Sequence, residues 1–363
     1  MDTTGKHSTA VVKTACAIVF LLFTFFYLYF YQADILAMAQ HVLSHGKTHY
    51  ERTVGAVLIT LVLFLLQMGV YALTKLEWRA HALTYFPSLL VLTFLTSAGT
   101  HFHEHASFGV WLWAGPLVVA LYCGVVWVLR QLEDIMSGDV ATGIFSRLMW
   151  VNMLTMVAMF FMVEFFSNND EAFHYRMEME SRLLKGDVDG ALAVGENTEV
   201  GSEPLTRLRA YALSKKGQLG ERLFEYPVRG GSAALVPQKG DSTSAAACIM
   251  LPQKEMMKQW RRNKKDFELC AYLADKDIDK FARTLIRYYT VNDSARLPKH
   301  YCEALTLYTR QRSNRVVDYH NAVMEADFAD LLKLEREHPD ERSRRNAVHD
   351  NFHNTYWYYY LYQ

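Results

Sequence analysis

Hydrophobic and polar positions divide the chain near residue 167. Ahead of that point lie five apolar segments, at about 11–31, 53–73, 80–98, 108–129 and 148–166. Each approaches the roughly 20 residues that a helix needs to cross the hydrocarbon core of a bilayer, where every backbone polar group must be satisfied within the segment. The third contains Pro87, which removes one backbone donor and predicts a kinked span. Lys6 and Lys13 before the first segment and Ala37-Met38-Ala39 after it have the layout of a cleaved leader. Its run of about 21 residues, heavy with Phe25, Phe26, Tyr27, Tyr29, Phe30 and Tyr31, exceeds the ~7–15 of a leader's apolar core and predicts retention.

After the fifth segment the pattern changes to amphipathic helices joined by short polar turns. Lys185-Gly186-Asp187 closes one helix and caps the next, and Lys216-Gly217-Gln218 repeats the device before Leu223, Phe224, Tyr226 and Pro227. A weaker return follows at Ala274 to Phe281, and Leu297-Pro298 opens another helix. Spacing, turn glycine and closing Tyr-Pro resemble tetratricopeptide hairpins, whose repeat is about 34 residues, although the signature Trp is missing and Gly190 and Gly220 stand where better helix formers are expected. Such hairpins stack into a short solenoid with a concave binding face. Residues 228–253, rich in Gly, Ser, Ala and Pro, predict a long loop that divides it. The expected fold is therefore all-α: a five-span bundle over 1–167 and a tetratricopeptide-like helical domain over 168–363. The closing run Tyr356 to Tyr362, six aromatics in seven residues, predicts a cap on the last hairpins or an anchor at the membrane interface.

Charge sharpens this division. Residues 1–167 hold 8 of the 38 Lys+Arg and 9 of the 38 Asp+Glu, so both halves are nearly neutral and the long-range basic field of a nucleic-acid binder is missing. The basic run Lys258, Arg261, Arg262, Lys264, Lys265 is interspersed with Glu255, Asp266 and Glu268 and reads as a solvated helix face. With a cytoplasmic N-terminus, six basic residues (Lys6, Lys13, Lys75, Arg79, Arg130, Arg147) fall on the inner side and only Lys47 and Arg52 on the outer. That bias predicts a multi-pass protein of a bacterial inner membrane, with its second domain in the periplasm and lipid as an obligatory partner. Within the spans, Glu164 snorkels near one end, and Gln67 and Asn152 are candidates for interhelical hydrogen bonds.

Candidate chemistry is sparse. The five cysteines form no CxxC pair, which predicts one incidental disulfide or buried thiols. No nucleophile motif, phosphate loop or dinucleotide fingerprint occurs, so no catalytic or cofactor-binding residue is assigned and the reading leans away from an enzyme. Histidines are the exception. His41 and His45 are spaced i, i+4 with His49 just beyond, and His101, His103 and His105 alternate along a second loop on the same predicted side, beside Glu104. Imidazoles with a carboxylate suit zinc or a similar divalent metal, so these six are the candidate ligands. His349 and His353, also i, i+4, read as one solvated helix face.

The stretch Gln40-His41-Val42-Leu43-Ser44-His45-Gly46-Lys47-Thr48-His49-Tyr50, the span from Gly55 to Thr60, Ala82-Leu83-Thr84-Tyr85-Phe86-Pro87, and Tyr226-Pro227 followed by Gly230-Gly231 resemble an uncharacterised bacterial membrane family, a domain of unknown function. Its members combine N-terminal spans with a tetratricopeptide-like outer region. The resemblance implies this architecture for most of the chain and carries no activity. Two functions are expected from the sequence. One is a helical-repeat module displayed from the membrane to bind a protein partner or scaffold an envelope complex, by analogy with other solenoids. The alternative is a metal-dependent membrane enzyme or metal sensor built on the loop histidines.

Overall fold

The computed structural model describes residues 3–76, 80–99, 111–135, 146–236, 248–291 and 296–363, and among them every regular element is helical. The chain forms two compact units, Met1–Met177 and Glu178–Gln363.

The first unit contains α1 (Thr3–Phe26), α2 (Ala33–Leu43), α3 (Arg52–Thr74), α4 (Phe86–Thr96), α5 (Trp111–Ile135) and α6 (Arg147–Phe166). Four helical stretches are long and apolar enough to cross a membrane: Ala10–Tyr31, Arg52–Thr74, Trp113–Gln131 and Arg147–Phe166. The first passes from α1 through a π-helical stretch, Tyr27–Tyr31. The expected third span is shorter. Residues His81–Tyr85 form a 3-10 turn, and α4 then runs for only 11 residues. Pro87 sits in the first turn of α4, where its missing N–H costs nothing and its fixed φ favours helix entry. It starts the helix and does not kink it.

Each helix turns one stripe inward. Val12, Cys16, Phe20 and Thr24 line α1 and Leu28 continues that stripe into the π-helical stretch; Ala56, Thr60, Leu63 and Gln67 line α3; Met149, Asn152, Met156, Met159 and Val163 line α6. These spacings of three and four residues place side chains on one helix face. Polar groups fix the register. Gln67 Nε2 donates to Thr84 Oγ1 (3.0 Å), Ser88 Oγ to Leu63 O (2.7 Å), and Ala82 N to Asn152 Oδ1 (2.8 Å). At one end Lys13 donates to the Tyr71 hydroxyl, and Arg130 caps α3 by donating to Thr74 O (2.6 Å) and Leu73 O (2.9 Å). At the other end the hydroxyls of Thr96 and Ser167 lie 2.7 Å apart. These pairings make α4 run parallel to α6 and antiparallel to α3.

Helix α7 (Glu171–Leu184) carries the boundary between the units. The second unit continues with α8 (Val188–Ala193), α9 (Glu203–Lys216), α10 (Leu219–Arg222), a 3-10 turn (Leu223–Glu225), α11 (Gly231–Leu235), α12 (Gln253–Arg262), α13 (Lys264–Ala274), α14 (Ile278–Tyr288), α15 (Lys299–Gln311), α16 (Ala322–Glu337), α17 (Glu341–Phe352) and α18 (Tyr356–Tyr362). Three helix-to-helix turns use one device. Gly186 (φ 81°), Gly217 (φ 67°) and Lys276 (φ 59°) are left-handed residues that end a helix and release the chain to start another. Asp187 and Asp277 then accept from the backbone N–H three residues on, at 2.9 Å each, and cap the next helix. Gly220 is in α10 for a different reason: a Cβ there would lie 2.7 Å from the Tyr301 ring, so this helix can approach α15 only without a side chain.

Residues 228–253 are not one loop. Gly231–Leu235 is helical, with Ala234 and Leu235 buried. Ile249, Met250 and Leu251 are buried too, and Met250 N donates to Glu180 Oε2 (2.6 Å). Residues 237–247 lie outside the described ones. The aromatic run is interior: Tyr356, Trp357, Tyr358 and Tyr359 are buried, and α18 packs on α15 and the Leu223–Glu225 turn. All five cysteines are free thiols.

Candidate functional site

Of the six histidines proposed as ligands, His101, His103 and His105 lie outside the described residues. His41 is half-buried in the last turn of α2, whose helix ends at Leu43. His45 and Gly46 then adopt left-handed φ values of 52° and 75°, and Gly46 N donates to His41 O (2.8 Å). The i, i+4 spacing therefore does not place His41 and His45 on one helix face. His49 is exposed in the segment that follows. Among the described residues no group of three or more His, Cys, Asp or Glu side chains has the geometry to hold a metal ion.

A polar cleft of about 440 Å³ lies in the second unit. One wall is the turn after α8, with Glu196, Asn197, Thr198 and Glu199. A second is Glu225, Tyr226, Pro227 and Arg229, the Tyr-Pro segment after the 3-10 turn. The third comes from α17 and α18, with Arg345, His349, His353 and Tyr358. The rings of the two histidines are tilted against each other at 5.3 Å between centroids, and the edge of Tyr358 meets His349 at 5.4 Å.

Charges inside the cleft are unevenly matched. Arg222 donates to Glu225 Oε2 (2.8 Å) and Glu196 Oε1 (3.0 Å), which occupies both carboxylates and holds its own pKa above the ordinary arginine value. Glu199 lies 3.7 Å from His349 Nε2. The Tyr226 ring sits 5.0 Å from the guanidinium of buried Arg209 and 5.8 Å from that of Arg222, and its burial raises its hydroxyl pKa. Arg229 and Arg345 remain. Both are exposed on the cleft and neither pairs with a carboxylate among the described residues.

A buried polar network holds the α18 wall. His300 and Glu303 are 0% and 1% exposed. Phe224 N donates to His300 Nε2 (3.3 Å), so the ring proton resides on Nδ1 and is donated to Glu303 Oε2 (2.8 Å). The same carboxylate oxygen accepts from Tyr356 N (2.7 Å), the first residue of α18, and the Trp357 indole donates to Glu303 O (2.8 Å). The hydroxyls of Tyr356 and Tyr359 reach back to Leu273 O (3.2 Å) and Ala274 O (2.6 Å) on α13. Every donor has an acceptor, the condition under which buried polar groups specify one arrangement. Sequence reading passed over this pair. Its only local signal is a His and a Glu three residues apart on a predicted helix.

Comparison with known proteins is limited to this region. A family model described as a family of unknown function (DUF6057) matches residues 255–363, which contain His300, Glu303, Arg345, His349 and the α18 aromatics. The matched stretch begins after the motifs at 40–87 and 226–231 that carried the sequence resemblance. No curated protein and no solved structure matches the chain.

Proposed function

We propose that the chain is a multi-pass membrane protein that displays a helical-hairpin module for binding a protein partner, and that the partner inserts an acidic segment into the α17–α18 cleft. The observation that carries this reading is the pair Arg229 and Arg345, two guanidiniums on one concave surface without a carboxylate of their own. Guanidinium forks bind carboxylates bidentately, and the half-buried His349 and exposed His353 rings add flat surface with polar edges beside them. In the same reading the hairpins are tetratricopeptide-like repeats. The short α4 with its 3-10 lead completes a fifth crossing, and Lys13, Lys75, Arg130 and Arg147 lie at the cytoplasmic end of a bacterial inner membrane. The second unit then faces the periplasm.

The test is full-length protein purified gently from its native membrane, with stoichiometric companions identified by mass spectrometry. Arg229→Glu combined with Arg345→Glu is expected to remove a companion that the unaltered protein retains. Lys333→Glu on α16, away from the cleft, is expected to keep it. Equal recovery in both variants sinks the reading.

A further inference from the structure

We propose that the groove between α4, α5 and α6 binds an acyl chain of a lipid from one bilayer leaflet. The groove has a volume of about 420 Å³ and a lining that includes Leu89, Thr93, Ala114, Val118, Met159 and Val163, with no charged side chain. It exists because α5 stands off from its neighbours: only 6% of its most apolar window is buried, against 33% for α1 and α6. The floor is firm, with Leu89 and Val163 each 2% exposed. The rim is open, with Met162 54% and Phe166 48% exposed.

Three physical arguments select the occupant. The groove opens at its rim to whatever surrounds the helices, so the surrounding medium enters it. Water does not, because a held water needs two to four polar partners, and the hydroxyl of Thr93 already donates to Leu89 O (2.9 Å). A helix from a second copy fits poorly, because transmembrane helices pack along a seam that runs most of the span. Met159 to Phe166 covers about 10 Å of helix, only a third of the roughly 30 Å core, and lies toward the Thr96–Ser167 end of the bundle. A lipid tail occupies one leaflet, and methionine side chains adapt to such a chain.

This inference rests on the reading of the four long helices as membrane spans, and the experiment separates the two. Full-length protein is placed in phosphatidylcholine nanodiscs containing a phosphatidylcholine with a diazirine on one tail, irradiated, and mapped by peptide mass spectrometry. Labelling of α3 at Leu58, Leu61, Val62 and Leu65, all exposed, reports ordinary contact with the bilayer. In the groove, labelling on α4 and α6 is expected to be severalfold stronger than on α3 at the same diazirine-lipid content, because a seated tail stays beside the side chains it touches. Ala114→Phe with Val118→Phe is expected to abolish groove labelling and leave α3 labelling unchanged, which also shows that the bundle has kept its fold. Groove labelling no stronger than that of α3, or that persists in the double variant, overturns the proposal, as does a crosslink from the groove to a second copy. Loss of α3 labelling as well overturns the membrane reading itself.

Discussion

Helices α3 and α15 use opposite rules for what they bury. Helix α3 hides Ala56, Thr60 and Gln67 along with Leu63, and exposes Val57, Leu58, Leu61, Val62, Leu65 and Leu66. Helix α15 hides nearly everything from His300 to Thr309, its one glutamate included. The difference lies in the solvent each was built for. Lipid tails are as apolar as leucine, so nothing drives leucine inward, and small or hydrogen-bonding residues make the contacts between helices. In water the apolar face must be buried, and a buried charge survives only with its partners in place.

The largest test of that contrast is Glu303→Ala. It strands the Tyr356 N–H and the His300 ring, and the expected loss is about 3 kcal/mol. Hydrogen exchange of the full-length protein in detergent should show α15 and α18 amides opening much faster while α3 and α6 are unchanged. Slow exchange in α18 would mean that aromatic packing alone holds the segment.

Glycine gives the next comparison. Gly220→Ala drives a methyl into the Tyr301 ring and should cost roughly 1–3 kcal/mol, as overpacking does. Gly115→Ala and Gly124→Ala on α5 meet nothing within 4 Å and should be neutral or slightly stabilising. Thermal midpoints of the three variants rank them. Equal midpoints would mean that α10 can move away from α15.

The smallest effect is electrostatic and confined to the second unit. Arg312 donates to Asp279 through Nε (3.0 Å) and Nη2 (2.7 Å) and holds its carboxyl below the ordinary value. A depressed carboxyl contributes stability above its unfolded pKa and loses it as pH falls through the folded one. Asp279→Asn should therefore cost under about 1 kcal/mol at neutral pH, because both side chains are about two-fifths exposed. The difference from the unaltered chain should close below about pH 4. A gap that stays constant with pH would assign the effect to packing.

Much of the fold was legible because it is local. Twenty-residue apolar runs specify helices whatever surrounds them, and Lys-Gly-Asp turns carry their own left-handed residue and cap. The sequence determined an all-helical chain, the division between apolar and polar halves, and the positions of the hairpin turns. It did not determine which face of a uniformly apolar helix turns inward, because in α3 hydrophobicity does not distinguish Leu63 from Leu61. It also left open whether Pro87 kinks a span or begins a helix, since proline is tolerated in both places and the packing of α4 chooses between them. The site was less legible still. The histidine spacing at 41 and 45 promised a shared face that the end of α2 removed. The cleft joins residues near 196, 226 and 349, and Glu303 meets its partner 53 residues away at Tyr356. Such pairings form only when the chain folds back on itself, which is why tertiary structure decided them.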